Sequence, residues 1–310
     1  MKNLTFEFTP LDLSTINLSK RDFLFSFPER SFTLLRSIEK VGILEPPILY
    51  PSPEGYLIVC GEGRVKASLH LGWDIIPALV LKPKLSNKDL LMIALESNLW
   101  RGLNLVEKAH FIHKAKPLFP EEELFDILER LGFSKHPKWL FFLEKVIGLE
   151  ETLWKLIAEE KLNPKIVEDL SKLSPVGREE FVFLLQRASL SYSEQREVLQ
   201  ILTDNKKCKP SDRLISEELK EILAEEDFNL RRKKLFDHLE KLKFPNFYPY
   251  KEKIRDSISY FKSHGVAIKF SPYLEKREIT FNFKATEESE LKNILDFLRN
   301  EGNRAFRVFE

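Results

Sequence analysis

The stretch that decides the fold is Leu57–Trp73, which reads LIVCGEGRVKASLHLGW. It starts as a short apolar run, breaks at Gly61-Glu62-Gly63, and continues as a basic stretch of helical composition. The apolar run predicts a β-strand and the basic stretch predicts a helix, so the glycines form the turn between them. This turn is either a tight connection with a capped helix or an anion site, because backbone N–H groups and a helix N-terminus attract negative charge.

The side chains after the glycines suit a phosphate ligand. Arg64, on the predicted first helical turn, can make a forked, charge-assisted contact to a phosphate, and Lys66 can add a point charge. Glu62 would repel a bare phosphate, but it can hold a metal ion, cap the helix or hydrogen-bond a sugar or base. Short glycine motifs also occur by chance, so the residues alone leave the plain turn open.

Working outward from the turn, the chain divides into four predicted segments. Residues 1–85 carry the order β-α-β-β-α-β of a small α+β domain, and residues 86–204 consist of short helices. Residues 205–249 are predicted to be a linker with one helix, and residues 250–310 an α-β-β-α module. The fold class is therefore an α+β domain, then an all-α domain, then a small α/β C-terminal module.

Composition limits the function classes. The chain has 310 residues, 43% of them hydrophobic and 31% charged, as in soluble globular proteins of two or three domains. The formal net charge is +1, so nucleic-acid binding would need a local basic patch. Cys60 and Cys208 are far apart, which argues against a disulfide framework or a cysteine zinc site.

Membrane attachment and secretion are not expected from the sequence. The N-terminus lacks the long apolar core of a signal peptide, and no 18-residue apolar run exists. We therefore expect a cytoplasmic protein in a reducing compartment, with no membrane partner.

Neighbouring motifs make the glycine turn more specific. The stretch SIEKVGILEPPILYPSPEGYLIVCGEGRVKASLHLGWDIIPALVL, within residues 32–82, resembles the N-terminal domain of the ParB family of CTP-dependent DNA-clamp partition proteins. That family has a helix ending GVLQPI, a hairpin and turn with Y-IV-GERR-RA, and then LGW--IP. The resemblance implies an α+β ParB/sulfiredoxin-like domain in which Gly61, Glu62, Gly63 and Arg64 form the triphosphate-binding turn.

The resemblance continues into the helical segment. LESNLWRGLNLVEKA, from Leu95, resembles the family's ENxQRxDLNPiEeA, and it implies Glu96 as a metal ligand with Asn98 and Arg101 as phosphate or switch residues. The match has two possible registers. Counting back from Leu103 places Glu96 on the family glutamate, whereas matching NLWR to NLQR requires one deletion. The implied cofactor is Mg2+ with CTP or another nucleoside triphosphate.

One departure bears on turnover. Gly63 stands where the family's GERR motif has its first arginine. The resemblance therefore implies nucleotide binding more strongly than CTP hydrolysis, and the only catalytic candidate is Glu62.

A second motif points to DNA. EEELFDILERLGFSK, Glu121–Lys135, resembles the family's helix-turn-helix, and LEETLWKLIAEEKLNPKIVEDLSKL, Leu149–Leu173, resembles the helices after it. A recognition helix needs polar side chains at its start to contact phosphates or bases. The start of the second helix offers such side chains at Ser134, Lys135, His136 and Lys138. The apolar run that follows is typical of a core or a partner surface.

The predicted function is therefore a nucleotide-gated, nucleoid-associated DNA-binding protein in DNA partition, segregation or transcription regulation. Expected partners are DNA, a second copy of the chain and a partner ATPase. The tail at residues 250–310 loosely resembles the family's dimerisation module, and its alternating strands and amphipathic helix are equally compatible with a stand-alone module. Dimerisation is favoured, because two strands and a helix alone bury little core.

Other functions stay open on this fold. The resemblance extends to sulfiredoxins, which need a cysteine inside the turn, and to a free-serine kinase. A small-molecule kinase would keep the phosphate turn and use a carboxylate such as Glu62 near the acceptor hydroxyl. A nuclease on the same fold is a further alternative.

Two more patterns have simple and functional interpretations. Glu107, His110 and His113 lie on one face of a predicted helix. They form either a metal site or a set of capping and solvated side chains. Arg231–Lys234 is a solvated basic helix face or a patch for the DNA backbone.

Overall fold

The computed structural model describes residues 4–28, 32–82, 84–206, 213–248 and 250–309. The chain forms two compact units, Met1–Ser174 and Pro175–Glu310. The first unit joins the predicted α+β segment to most of the predicted helical segment. The predicted boundaries at 85/86, 204/205 and 249/250 therefore remain predictions. Cys208 and part of the predicted linker lie outside the described residues.

The first unit is built on a mixed four-stranded sheet in the order β1-β4-β2-β3. Its strands are β1 (Phe6–Asp12), β2 (Ile48–Ser52), β3 (Gly55–Cys60) and β4 (Ile75–Leu81). Helix α1 (Phe32–Val41) precedes β2, and helix α2 (Glu62–His70) joins β3 to β4, which confirms the predicted order. The N-terminal strand β1 lies at a sheet edge, paired antiparallel with β4.

Strand pairing places the glycine turn beside the start of β2. Ile48 pairs with Cys60 on the antiparallel side and with Leu79 on the parallel side. The segment before Ile48 therefore runs directly past the end of β3. Apolar residues of the strands and of α2 fill the core on one face of the sheet, including Leu49, Ile58, Val65 and Ile76.

Short capped helices complete the first unit. They are α3 (Asn87–Leu99), α4 (Leu105–Ala115), α5 (Glu121–Arg130), α6 (Pro137–Ile147), α7 (Glu151–Ala158) and α8 (Val167–Leu170). Ser86 with Asp89 and Asn104 with Glu107 form capping boxes at the starts of α3 and α4. Helix α3 packs against β3, so the helical segment is joined to the sheet at the glycine turn.

The second unit contains two groups of elements. The first is the helices α9 (Pro175–Ala188), α10 (Tyr192–Lys206), α11 (Glu217–Ala224) and α12 (Phe228–Lys243). The second is α13 (Tyr250–Ser263), the hairpin β5 (Ala267–Phe270) and β6 (Ile279–Asn282), and α14 (Glu288–Glu301). The second group has a small core around Phe261, Val266, Ile268 and Ile294.

The basic run on α12 has a structural role. Arg231 donates to the carbonyls of Arg187 and Glu225, at 3.0 and 2.5 Å. Arg232 donates to the carbonyl of Ala188 at 3.3 Å and pairs with a carboxylate of α10. The two guanidiniums thus cap the C-terminal end of α9, because the last carbonyls of a helix lack intrahelical donors.

The helix face with two histidines has three separate roles. Glu107 is buried and caps its own helix, His110 packs against the Trp154 ring at 4.7 Å, and His113 lies 3.4 Å from Glu144. No group of three metal-ligating side chains occurs among the described residues, which contradicts the metal interpretation of this face. In the part of the chain that the structure describes, no helix is long and apolar enough to span a bilayer.

Candidate nucleotide site

The site begins with the backbone of Gly61. This residue is the N-cap of α2 in the left-handed region, at φ 94° and ψ 23°. A Cβ atom there would lie 2.9 Å from the Cα of Pro47, because β2 starts directly beside the turn. The first helical hydrogen bonds are donated by the N–H groups of Arg64 and Val65, so those of Glu62 and Gly63 have no acceptor within the helix. The turn therefore offers the backbone N–H groups of Glu62 and Gly63 as donors for an anion.

A cavity of about 1320 Å3 opens beside this turn. Its walls come from the loop at residues 23–28, from α1, from the α1–β2 connection, from α2 and from the end of α3. The structure brings together every predicted nucleotide-binding residue in this lining: Gly61, Glu62, Gly63, Arg64, Lys66, Asn98 and Arg101.

The charges in the cavity are paired. Glu62 accepts two hydrogen bonds from Arg21, at 2.5 and 3.2 Å, and lies 2.9 Å from the Lys66 ammonium. Arg64 donates to Glu45 at 2.5 Å across the cavity. The Glu45 side chain is 68% exposed and the Glu62 side chain only 12%. An anion that binds Arg21 or Arg64 must therefore replace a carboxylate, and Glu45 can be displaced into solvent most easily.

The sequence did not predict Arg21 or Glu45 as parts of this site. Arg21 lies 41 residues before Glu62, and its main-chain carbonyl accepts from Lys114 of α4 at 2.9 Å. Glu45 stands in the GILEPP segment that carries the resemblance, but nothing in its local pattern indicated an ion pair. Both positions result from long-range packing that periodicity does not encode.

Arg101 is held rigidly at the end of α3. Its guanidinium makes a forked contact to Glu107, at 3.0 and 2.7 Å, and donates to Asn98 Oδ1 at 2.9 Å and Ser26 Oγ at 3.2 Å. The carboxylate of Glu107 also accepts from the Phe27 N–H at 3.2 Å. Arg101 therefore holds the loop at residues 23–28 in place, and a phosphate would have to compete with these partners.

Cys60 ends β3 in the wall of the cavity. Its sulfur accepts a hydrogen bond from Asn98 Nδ2 at 3.6 Å, and burial raises the pKa of the thiol. A raised pKa keeps the neutral thiol, which is a poor nucleophile. Because Cys60 lies before the turn and not in it, this site lacks the arrangement expected for a sulfiredoxin.

The described residues fit a Mg2+ ion poorly. Glu96, the predicted metal ligand, does not line the cavity, and its exposed side chain pairs with Arg130 of α5. Ser97 takes the lining position instead, and its hydroxyl donates to the Ile93 carbonyl at 2.8 Å. Matching NLWR to NLQR aligns Ser97 with the family glutamate, whereas counting back from Leu103 aligns Glu96 with it. The position of Ser97 in the cavity lining favours the first of these two registers. The role predicted for Glu96 remains a prediction without a supporting contact.

The predicted DNA contacts lie at the turn between α5 and α6. Lys135 is exposed and pairs with Asp126 and Glu129, at 2.7 and 3.2 Å. His136 is the N-cap of α6 and accepts from the Lys138 N–H at 3.1 Å, while Lys138 lies over the Trp139 ring. Ser134 accepts from the Trp139 indole N–H at 2.8 Å.

The two faces of α6 differ. Leu140, Leu143 and Val146 are buried, and α4 is the main helix that α6 packs against. Phe141 is 66% exposed on the outward face, so the apolar run is only partly core.

A family model for the ParB N-terminal domain matches residues 6–99, the sheet with α1, α2 and α3. The N-terminal region of this chain belongs to the ParB family. It is 37% identical over 101 residues to the chromosome-partitioning protein Spo0J of Thermus thermophilus, over 32% of this chain and 37% of that protein. It is also 36% identical over 132 residues to stage 0 sporulation protein J of Bacillus subtilis, over 42% and 45% of the two chains.

The match to a nucleoid occlusion protein of Halalkalibacterium halodurans is longer, with 28% identity over 188 residues, 59% of this chain and 64% of that protein. The chain thus spans about one to two thirds of the length of these relatives. One solved structure, a C-terminally truncated ParB from Caulobacter crescentus complexed to the centromeric parS site, is 19% identical, with a TM-score of 0.34. That comparison covers 62% of this chain and 98% of the other.

Proposed function

We propose that the cavity beside Gly61 binds a nucleoside triphosphate and that this binding gates attachment of the chain to DNA. One observation carries the proposal: Gly61, Arg64, Lys66, Asn98 and Arg101, which come from two separate sequence motifs, line one cavity. Backbone donors at a helix N-terminus together with forked guanidinium groups are what phosphate recognition requires. CTP is the preferred nucleotide, because the ParB resemblance implies it.

Binding is a better expectation than turnover. Glu62, the only catalytic candidate, accepts hydrogen bonds from Arg21 and has the Lys66 ammonium 2.9 Å away. These contacts occupy the carboxylate, so Glu62 would have to release a cation before it could contact an attacking water or hydroxyl. Gly63 adds no side chain where the family has an arginine. Any CTP hydrolysis would therefore be slow.

DNA is the proposed macromolecular partner. The α5–α6 pair has the helix-turn-helix order, and the polar group Ser134, Lys135, His136 and Lys138 lies at the start of its second helix. This small basic group suits a modest number of phosphate contacts. The curated relatives are described as chromosome-partitioning and nucleoid occlusion proteins, so partition or nucleoid occlusion is the proposed setting.

Two partners rest on the resemblance alone. A homodimer through residues 250–310 agrees with the exposed Leu291 and Leu295 on α14, which leave an apolar stripe uncovered in one chain. A partner ATPase remains a prediction with no described residue assigned to it.

A melting screen tests the nucleotide proposal. We expect CTP with MgCl2 to raise the Tm of the full chain, with a smaller effect from ATP or ADP. Arg64→Ala should abolish the shift, because it removes a charge-assisted hydrogen bond worth about 1.5–3 kcal/mol. Lys82→Ala is the control, since Lys82 is exposed directly after the end of β4, pairs with Glu7 of β1 at 3.4 Å and does not line the cavity.

Binding and turnover assays separate the alternative functions. A DNA-gating protein should bind duplex DNA differently with and without CTP, as measured by fluorescence anisotropy. A small-molecule kinase would instead consume ATP or ADP with a hydroxyl acceptor and without DNA, and a nuclease would cut the DNA. No Tm shift with any nucleotide would refute the nucleotide proposal.

A further inference from the structure

We propose that the cavity takes its triphosphate as the metal-free anion and needs no divalent cation. This inference rests on the proposed function and concerns the same site. Its basis is the set of oxygen atoms that the described chain offers around the cavity, compared with what a divalent cation requires.

The carboxylates available in the described lining are Glu45 and Glu62. Mg2+ is usually bound through one or two carboxylates together with substrate phosphates. Here Glu62 accepts from Arg21 at 2.5 Å and lies 2.9 Å from Lys66, and Glu45 accepts from Arg64. A metal at Glu62 would place a double positive charge beside two side-chain cations, which Coulomb repulsion opposes.

The neutral oxygens are also engaged. Asn98 Oδ1 accepts from Arg101 Nε at 2.9 Å, and the amide nitrogen of Asn98 donates to the Ala94 carbonyl at 2.8 Å. Ser97 presents a hydroxyl at the position where the NLWR register aligns the family glutamate. The nearest acidic side chain of α3, Glu96, points to α5 and pairs with Arg130.

The cations already present can do the work of a metal ion. Arg21, Arg64 and Lys66 carry three positive charges against the two negative charges of Glu45 and Glu62. Glu45 is the more exposed carboxylate, so a triphosphate can displace it into water and take over Arg64. The α2 N-terminus adds positive potential at the same point. The bound phosphates are then neutralised by fixed side chains and by backbone donors.

Titration calorimetry of the full chain with CTP tests the inference, once in MgCl2 and once in EDTA. We expect the two Kd values to agree within about threefold. A Kd more than about tenfold weaker in EDTA would overturn the inference while leaving the proposed nucleotide site intact. Absence of binding in both buffers would overturn the inference and the proposed function together.

A designed variant tests whether the missing carboxylate at position 97 is the reason that binding needs no metal ion. Ser97→Glu places a carboxylate at the lining position and should make CTP binding weak in EDTA and strong in MgCl2. Lys82→Glu, which places the same carboxylate at an exposed position outside the lining, should bind CTP as the unmodified chain does in both buffers. Ser97→Asp replaces Ser97→Glu if the Tm shows that the longer side chain unfolds the protein. A carboxylate variant that folds and responds equally in both buffers would refute Ser97 as the reason for metal independence.

Discussion

Arg101 and Glu107 form a forked ion pair that is almost entirely buried. The guanidinium side chain is 10% exposed and the carboxylate 2% exposed, and their two contacts measure 3.0 and 2.7 Å. The carboxylate also accepts from the N–H groups of Phe27 and Asn104. One side chain thus joins the end of α3, the start of α4 and the loop that walls the cavity.

Removing this carboxylate should be costly. Glu107→Ala leaves the buried guanidinium without its counter-charge and removes the acceptor of two part-buried N–H groups, and breaking a buried pair in this way typically costs about 3–5 kcal/mol of unfolding free energy. Glu96→Ala is the matched control, because it removes an exposed glutamate–arginine pair and should cost about 0–1 kcal/mol. Urea unfolding of both variants measures the difference. Equal losses would mean that burial of the Arg101 pair contributes nothing beyond a surface contact.

The effect on stability of the close contact between Gly61 and Pro47 can be measured with a second glycine, Gly72, as the reference. Gly61 and Gly72 both have positive φ, at 94° and 72°, but an added Cβ meets Pro47 only at Gly61. Gly72→Ala should cost about 1–2 kcal/mol, from the left-handed backbone alone. Gly61→Ala should cost more and should also weaken CTP binding. Thermal unfolding and calorimetry give both values, and equal stabilities would show that the turn can move away from β2.

His110 should make stability sensitive to acid. Its Nε2 atom is buried without a hydrogen-bond partner in the structure, and its ring packs against Trp154 and Phe27. Burial is the main cause that lowers the pKa of His110 from its usual 6.5, and three neighbouring basic groups add to it, Lys114, His113 and Arg21. The charge of Glu107 opposes the shift.

The sign of the effect follows from this lowered pKa. The unfolded chain takes up the proton at higher pH than the folded chain, so the contribution of His110 to stability is present above pH 6.5 and is lost as the pH falls through the lowered folded pKa. His110→Gln should flatten the loss of Tm between neutral pH and pH 5. Parallel curves for the variant and the unmodified chain would assign the acid sensitivity to other groups.

Lys138 should contribute to DNA binding as a phosphate contact. It is exposed at the start of α6, where the helix N-terminus also favours phosphate. Lys138→Ala should lower the salt slope of duplex affinity by about 1, uniformly across sequences. Lys155→Ala is the control, because Lys155 pairs with Glu151 on α7, away from the α5–α6 turn. Anisotropy titrations at several salt concentrations decide this, and equal slopes would exclude α6 as the DNA-facing element.

Local patterns in the sequence predicted most elements of the first unit. The glycine turn, the caps at Ser86 and Asn104 and the order of strands and helices depend on neighbours within a few residues, which periodicity and capping chemistry encode. Motif resemblance also indicated that Gly61, Asn98 and Arg101 belong to one site, and the structure brings all three to the same cavity.

Only the tertiary structure decided which partner each charged group has. Glu96 and Ser97 are adjacent in the chain, yet helical geometry points one toward Arg130 and the other into the cavity. Arg21 reaches Glu62 across 41 residues, and the arginines of α12 cap a distant helix. The sequence by itself determined the glycine turn, because a left-handed strand-to-helix junction requires glycine locally. Which charges surround that turn depends on side chains far apart in the chain, and folding alone brings them within hydrogen-bond distance.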